Sequence, residues 1–107
     1  MSYEVFIMKN CDTCHKLVDT MQEKGIEFIQ YDLTGGDRKE RVEGKKLLGL
    51  YAKEGVNFET VNGLTDIPVL MFYPNGKPED IKKAVEAVKI FQGKNAVGGL
   101  ETCLSIR

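Results

Sequence analysis

The sequence predicts an α/β domain: a central four-stranded mixed sheet in βαβαββα order, flanked by helices. Three observations carry that reading. Residues 3–31 hold an apolar run, an amphipathic helical stretch and a second apolar run, the pattern of two parallel strands joined by a crossover helix. The stretch from Ile67 to Tyr73 is apolar apart from its proline and tyrosine, as suits a strand covered on both faces. The chain has 107 residues, 42% hydrophobic and 29% charged, enough for one domain with a modest core and too apolar for disorder.

Taken in order, Tyr3 to Met8 forms the first strand, and Lys9-Asn10 ends it. From Cys14 the apolar residues fall at Cys14, Leu17, Val18 and Met21, a helical spacing that puts Cys14 on the inward face. Gly25 stops this helix, and Ile26 to Tyr31 is the second strand. After the loop Thr34-Gly35-Gly36, Asp37 and Glu40 make a capping box in its Asp variant. That box opens a second helix, from about Arg38 to Glu54, ended by Gly55. Its predicted apolar stripe is Val42, Leu47, Leu50 and Tyr51. Gly44 and Gly49 each cost it about 1 kcal/mol relative to alanine; they mark either close packing or an irregular helix.

Asn57 to Asp66 reads as a connecting loop. Pro68 then sits near the start of the Ile67–Tyr73 strand, where a missing amide is tolerated. Pro74-Asn75-Gly76 is a turn signal. Pro78 to Val88 carries Ile81, Ala84, Val85 and Val88 at helical spacing, with Pro78 suited to a first turn. Ile90-Phe91-Gln92 is a short edge strand ended by Gly93, Lys94 to Gly99 a loop, and Leu100, Cys103 and Leu104 mark a short C-terminal helix.

The 15 basic and 16 acidic residues leave a formal charge of -1, which gives no electrostatic case for nucleic acid or an acidic membrane surface. The densest basic segment, Arg38 to Lys46, is interrupted by Glu40 and Glu43 and reads as a solvated helix face. No apolar run has the length of a membrane span, and the N-terminus lacks signal-peptide patterning. Three cysteines make no disulfide scaffold, so a reducing cytoplasm is the expected setting.

The chemistry concentrates in Cys11-Asp12-Thr13-Cys14. Two cysteines at this spacing can close a reversible disulfide, and the first-turn amides and helix dipole can stabilise a thiolate. Cys11, at or before the first turn, is the exposed nucleophile candidate, expected to titrate below the free-thiol value of about 8.5. Thr13 adds a hydroxyl donor, and Lys9 and Lys16 add positive charge. Asp12 opposes them, which predicts a milder depression. Cys14, one turn on, is expected to stay protonated until it attacks a mixed disulfide. Cys103 reads as core packing.

Strand, Cys-x-x-Cys, helix, strand, helix, then Ile-Pro entering a strand resembles the thioredoxin superfamily, and within it a glutaredoxin. The resemblance covers nearly the whole chain. It rests on Lys9, Cys11 and Cys14, Asp66-Ile67-Pro68, and Gly98-Gly99 followed by Leu100 and Glu101. It implies Cys11 as nucleophile, Cys14 as resolver, Pro68 as a cis-proline and Ile67 as a backbone clamp for substrate. Lys9 and Thr13, with Gly99 and Glu101 or Thr102, would contact glutathione. Asp12-Thr13 stands where the family usually has Pro-Tyr, the lysine is one residue closer to the pair, and residues 78–88 look like an insertion.

The implied activity is that of a disulfide oxidoreductase with no bound prosthetic group, acting as a monomer on disulfide-containing or glutathionylated proteins. Its electrons would come from glutathione, as co-substrate, or from a thioredoxin-type reductase. Other chemistries use the same residues. Cys11-x-x-Cys14-His15 matches c-type haem attachment, with Met8, Met21 or Met71 as a second ligand. Cys11, Cys14, His15 and Cys103 offer zinc or iron–sulfur donors, and the glutaredoxin resemblance leaves open a cluster bridged between two copies through Cys11. A non-catalytic binding module is a further alternative.

Overall fold

The computed structural model describes residues 1–105. The chain runs β1 (Ser2–Ile7), α1 (Asp12–Glu23), β2 (Ile29–Asp32), α2 (Arg38–Lys53), β3 (Thr60–Val61), β4 (Leu64–Thr65), β5 (Val69–Tyr73), α3 (Ile81–Ala87), β6 (Lys89–Gln92) and α4 (Ala96–Leu104). Four strands form a mixed sheet in the order β2-β1-β5-β6. β1 pairs parallel with β2 and antiparallel with β5, and β6 is antiparallel to β5.

Strand alternation sorts the core into two layers. Tyr3, Val5, Leu70 and Phe72 pack with Leu17 and Met21 of α1 and Leu100 and Cys103 of α4. Phe6, Val69, Met71 and Tyr73 face the other way, against Leu48 and Tyr51 of α2 and Ala84 of α3. β5 is buried along its whole length, as its apolar run requires. No helix among the described residues is long and apolar enough to cross a membrane.

Several predicted boundaries move, each for a local reason. Ile26 donates its N–H to Met21 O at 3.0 Å and packs on the core, so it finishes the α1 turn and β2 starts only at Ile29. The buried face of α2 is Gly44, Leu48 and Tyr51, whereas Val42 and Leu50 are exposed. The stripe is rotated because Gly44, without a side chain, lets α2 close onto β2: a Cβ there would lie 2.8 Å from Leu33 Cδ2 and 2.9 Å from Tyr31 Cβ. The predicted loop 57–66 contains the β3–β4 hairpin, turned at Asn62 and Gly63, both at positive φ. α3 starts after Asp80, whose carboxylate accepts from Lys82 N, and not at Pro78. Residues 94–99 are helical: a single 3-10 turn over Gly93–Asn95 runs into α4.

Candidate active site

The end of β1 is shaped to present Cys11. Leu33 N donates to Ile7 O at 2.9 Å, extending the β1–β2 register by one bond. Lys9 N then donates to Thr34 Oγ1 at 2.7 Å, while Thr34 N donates to Asp32 Oδ1 at 3.0 Å. The chain reverses at Asn10, at φ 60°, a conformation asparagine tolerates better than most residues. Cys11 follows in extended backbone as the N-cap of α1.

In that position the Cys11 sulfur does what a serine or aspartate oxygen usually does. It accepts the N–H of Cys14 at 3.2 Å, and Cys11 O accepts His15 N at 3.1 Å. Cys11 and Cys14 are joined as a disulfide with Cα atoms 5.2 Å apart. Cys14 is 1% exposed, on the core face with Leu17 and Met21, while Cys11 is half-buried at the surface. Asp12 opens α1 on the solvent side, and Lys9, His15 and Lys16 are exposed around it.

The second wall is the start of β5. The Ile67–Pro68 peptide is cis, Pro68 is buried, and its carbonyl accepts Gly93 N at 2.9 Å. Two depressions meet at Ile67. One, of about 600 Å³, is lined by Thr13, Val61, Asp66, Ile67 and the run Gln92 to Asn95. The other, of about 420 Å³, is an apolar groove between Met8, α2 and the β3–β4 hairpin.

No family model matches the chain, and no match was found among curated proteins or among solved structures.

Of the sequence-predicted set, Cys11 and Cys14 are bonded to each other, Thr13 and Ile67 line one depression, and Pro68 follows Ile67 through the cis bond. Lys9 is exposed, with its backbone held by Thr34. Gly99 and Glu101 are not among the residues that line the depression beside Ile67. Gly99 is buried within α4, where a Cβ would lie 2.2 Å from Phe91 Cγ. Glu101 is exposed on the same helix, and Thr102 donates its hydroxyl to Gly98 O. Gly93, Lys94 and Asn95 take the place beside Ile67 instead. Their signal in the sequence was a glycine closing an edge strand, followed by two polar residues; the Gly98-Gly99 pair is the louder pattern. Gly93 has φ 57° and its Cα faces Asp66, so a side chain there would strike the carboxylate.

Cys103 sits in the core, where burial pushes its thiol up, which keeps it protonated. Among the described residues no group of three or more His, Cys, Asp or Glu side chains is placed to hold a metal ion.

Proposed function

We propose that the protein is a thiol–disulfide oxidoreductase, a glutaredoxin-like member of the thioredoxin superfamily. The observation that carries the proposal is the Cys11 sulfur at the N-cap of α1, accepting the Cys14 amide, with the buried Cys14 sulfur at bridging distance. The strand order, the cis-proline just before β5 and the helices on both faces support the same reading.

In the reduced protein the Cys11 thiolate attacks one sulfur of a substrate disulfide. A Cys11–substrate mixed disulfide forms, and the first substrate thiolate leaves and takes up a proton. Cys14 gives up its proton and attacks Cys11 Sγ, so the second substrate thiol departs and the Cys11–Cys14 disulfide closes. The amide that donates to Cys11 Sγ, with the helix dipole behind it, stabilises negative charge on that sulfur as attacking group and as leaving group. Burial of Cys14 in the α1 face keeps it neutral until Cys11 is engaged.

The electron donor is glutathione or a thioredoxin-type reductase, with no bound prosthetic group and a cytoplasmic setting. The cleft beside Ile67 suits glutathione: Lys94 provides a cation for a carboxylate and Asp66 an anion for the γ-glutamyl ammonium. A paired assay tests the proposal. Reduction of a glutathionylated protein by glutathione is set against reduction of a protein disulfide by a thioredoxin-type reductase, each with wild type and Cys11→Ser. Turnover in at least one arm, lost in Cys11→Ser, is the expected result; no turnover in either arm overturns the proposal.

A further inference from the structure

The β3–β4 hairpin contributes no residue to either buried cluster, yet it is held firmly in place. Asp66 N donates to Glu59 O at 2.8 Å, closing its base. Gln92 of β6 is 7% exposed and makes three hydrogen bonds to it: Oε1 accepts Glu59 N at 2.8 Å, and Nε2 donates to Glu59 O at 3.1 Å and Asp66 O at 3.0 Å. A buried amide committed to both feet of a hairpin fixes where the hairpin points.

What the hairpin points outward is apolar. Val61 and Leu64 are register partners, so they project from one face as a ridge. They are 55% and 71% exposed. Val61 borders the polar cleft and Leu64 borders the apolar groove, Ile67 belongs to both depressions, and the cleft also takes in Thr13, which lies between the two cysteines in the chain. The ridge and groove are therefore continuous with the surface where disulfide exchange would occur. Met8, Leu33, Leu48 and Leu64 line the groove, and Gly49 leaves its floor open, with nothing within 4 Å of where a Cβ would be. Lys45 is the one charged residue in the lining, and Lys9 is exposed next to Met8.

We propose that the ridge and groove select a protein partner. They take a large aliphatic or aromatic side chain carried within two or three residues of the partner's reacting cysteine, with an acidic residue of the same segment meeting Lys45. The inference rests on the exchange reading above and deepens it. Glutathione has no such side chain and would leave Leu64 and Met8 uncovered; a partner side chain of leucine size or larger covers them and gains the apolar burial. The rim charge is positive, which favours an acidic segment over a basic one.

The test uses two synthetic peptides, each a mixed disulfide with glutathione. One has Leu two residues from its cysteine and Asp beyond; the other has Ser in place of the Leu. Wild type is expected to prefer the Leu peptide by about tenfold in kcat/KM, the order that one well-placed apolar group supplies. Leu64→Ser, which removes the ridge, and Gly49→Leu, which fills the groove from below, are each expected to bring that ratio toward one. A ratio near one in wild type, or an unchanged ratio in both variants, overturns the inference and leaves the exchange reading standing. So does sedimentation as a dimer that Leu64→Ser dissolves, since a second copy would then be the occupant. If neither peptide is reduced with glutathione or with a thioredoxin-type reductase as the electron donor, the exchange reading itself fails. Methyl shifts of Leu64 and Met8 on adding the Leu peptide with its cysteine changed to serine then decide the groove: movement supports it, and none overturns it.

Discussion

Under the proposed function one atom of Cys11 has two duties, capping a helix and exchanging electrons. A sulfur that accepts the Cys14 amide is a better acceptor as thiolate than as thiol, so the cap favours the reactive form. The residue that works against it is Asp12, the first residue of the same helix. Its carboxylate helps the helix dipole but repels a neighbouring thiolate. Asp12→Asn is therefore expected to lower the pH midpoint of Cys11 alkylation in the reduced protein; an unchanged midpoint would show that Asp12 does not tune the thiol. This pair of cysteines was legible in the sequence because strand end, spacing and helical period are all local. Gly99 is ambiguous in the sequence for a physical reason: a glycine fits a ligand's approach and a ring's approach equally well, and the structure shows the approach of the Phe91 ring. Leu64 gave no signal, because exposure of a lone leucine is decided by the direction its hairpin takes.

At the scale of elements, α2 separates two roles of glycine. Gly44 admits contact with β2, and Gly49 faces open space. Gly44→Ala is expected to destabilise by about 1–3 kcal/mol, since the Tyr31 backbone end cannot give way. Gly49→Ala is expected to stabilise by up to about 1 kcal/mol through helix propensity alone. Chemical denaturation of both variants checks the pair; equal signs would contradict the packing. The capping residues Asp37 and Cys11 and the stops at Gly25 and Gly55 follow local rules and were readable, as were the four sheet strands along the chain. The stripe of α2 was not, because Val42 and Leu50 fit a helical period as well as Gly44 and Leu48 do, and only the sheet beneath decides between them. The hairpin turn, Asn62-Gly63, was a readable signal hidden by strands of two residues each.

Across the whole molecule the least legible feature is Glu4, 1% exposed in the middle of β1. Its carboxylate accepts the Tyr73 hydroxyl at 2.9 Å, the Tyr31 hydroxyl at 3.3 Å and Lys77 Nζ at 3.0 Å. These partners lie 69, 27 and 73 residues away in sequence, so no local pattern announces them. Tyr51 and Tyr73 also share a hydrogen bond. The cluster ties β1, β2, β5 and α2 to the segment leading into α3. Tyr73→Phe removes a donor from a buried carboxylate and a partner from Tyr51, and is expected to cost about 2 kcal/mol, read as a lower denaturation midpoint. Burial, with the Glu4 charge second, pushes Tyr31 up from 10.0 to about 12, and the Tyr51 and Tyr73 hydroxyls are raised in the same direction. The folded protein keeps a proton that the unfolded chain releases at lower pH. The stabilisation from Tyr31 is therefore complete below pH 10 and lost as pH rises toward about 12. Across that window the denaturation midpoint is expected to fall as tyrosinate absorbance rises in wild type; a midpoint that holds while the tyrosines ionise would contradict the linkage.

The central claim is that Cys11 attacks and Cys14 resolves. Intact-protein mass spectrometry after exposure of reduced Cys14→Ser and Cys11→Ser to a glutathionylated protein tests it most directly. The account predicts a stable mixed disulfide on Cys14→Ser and none on Cys11→Ser. An adduct on Cys11→Ser alone, or on neither variant, would contradict it.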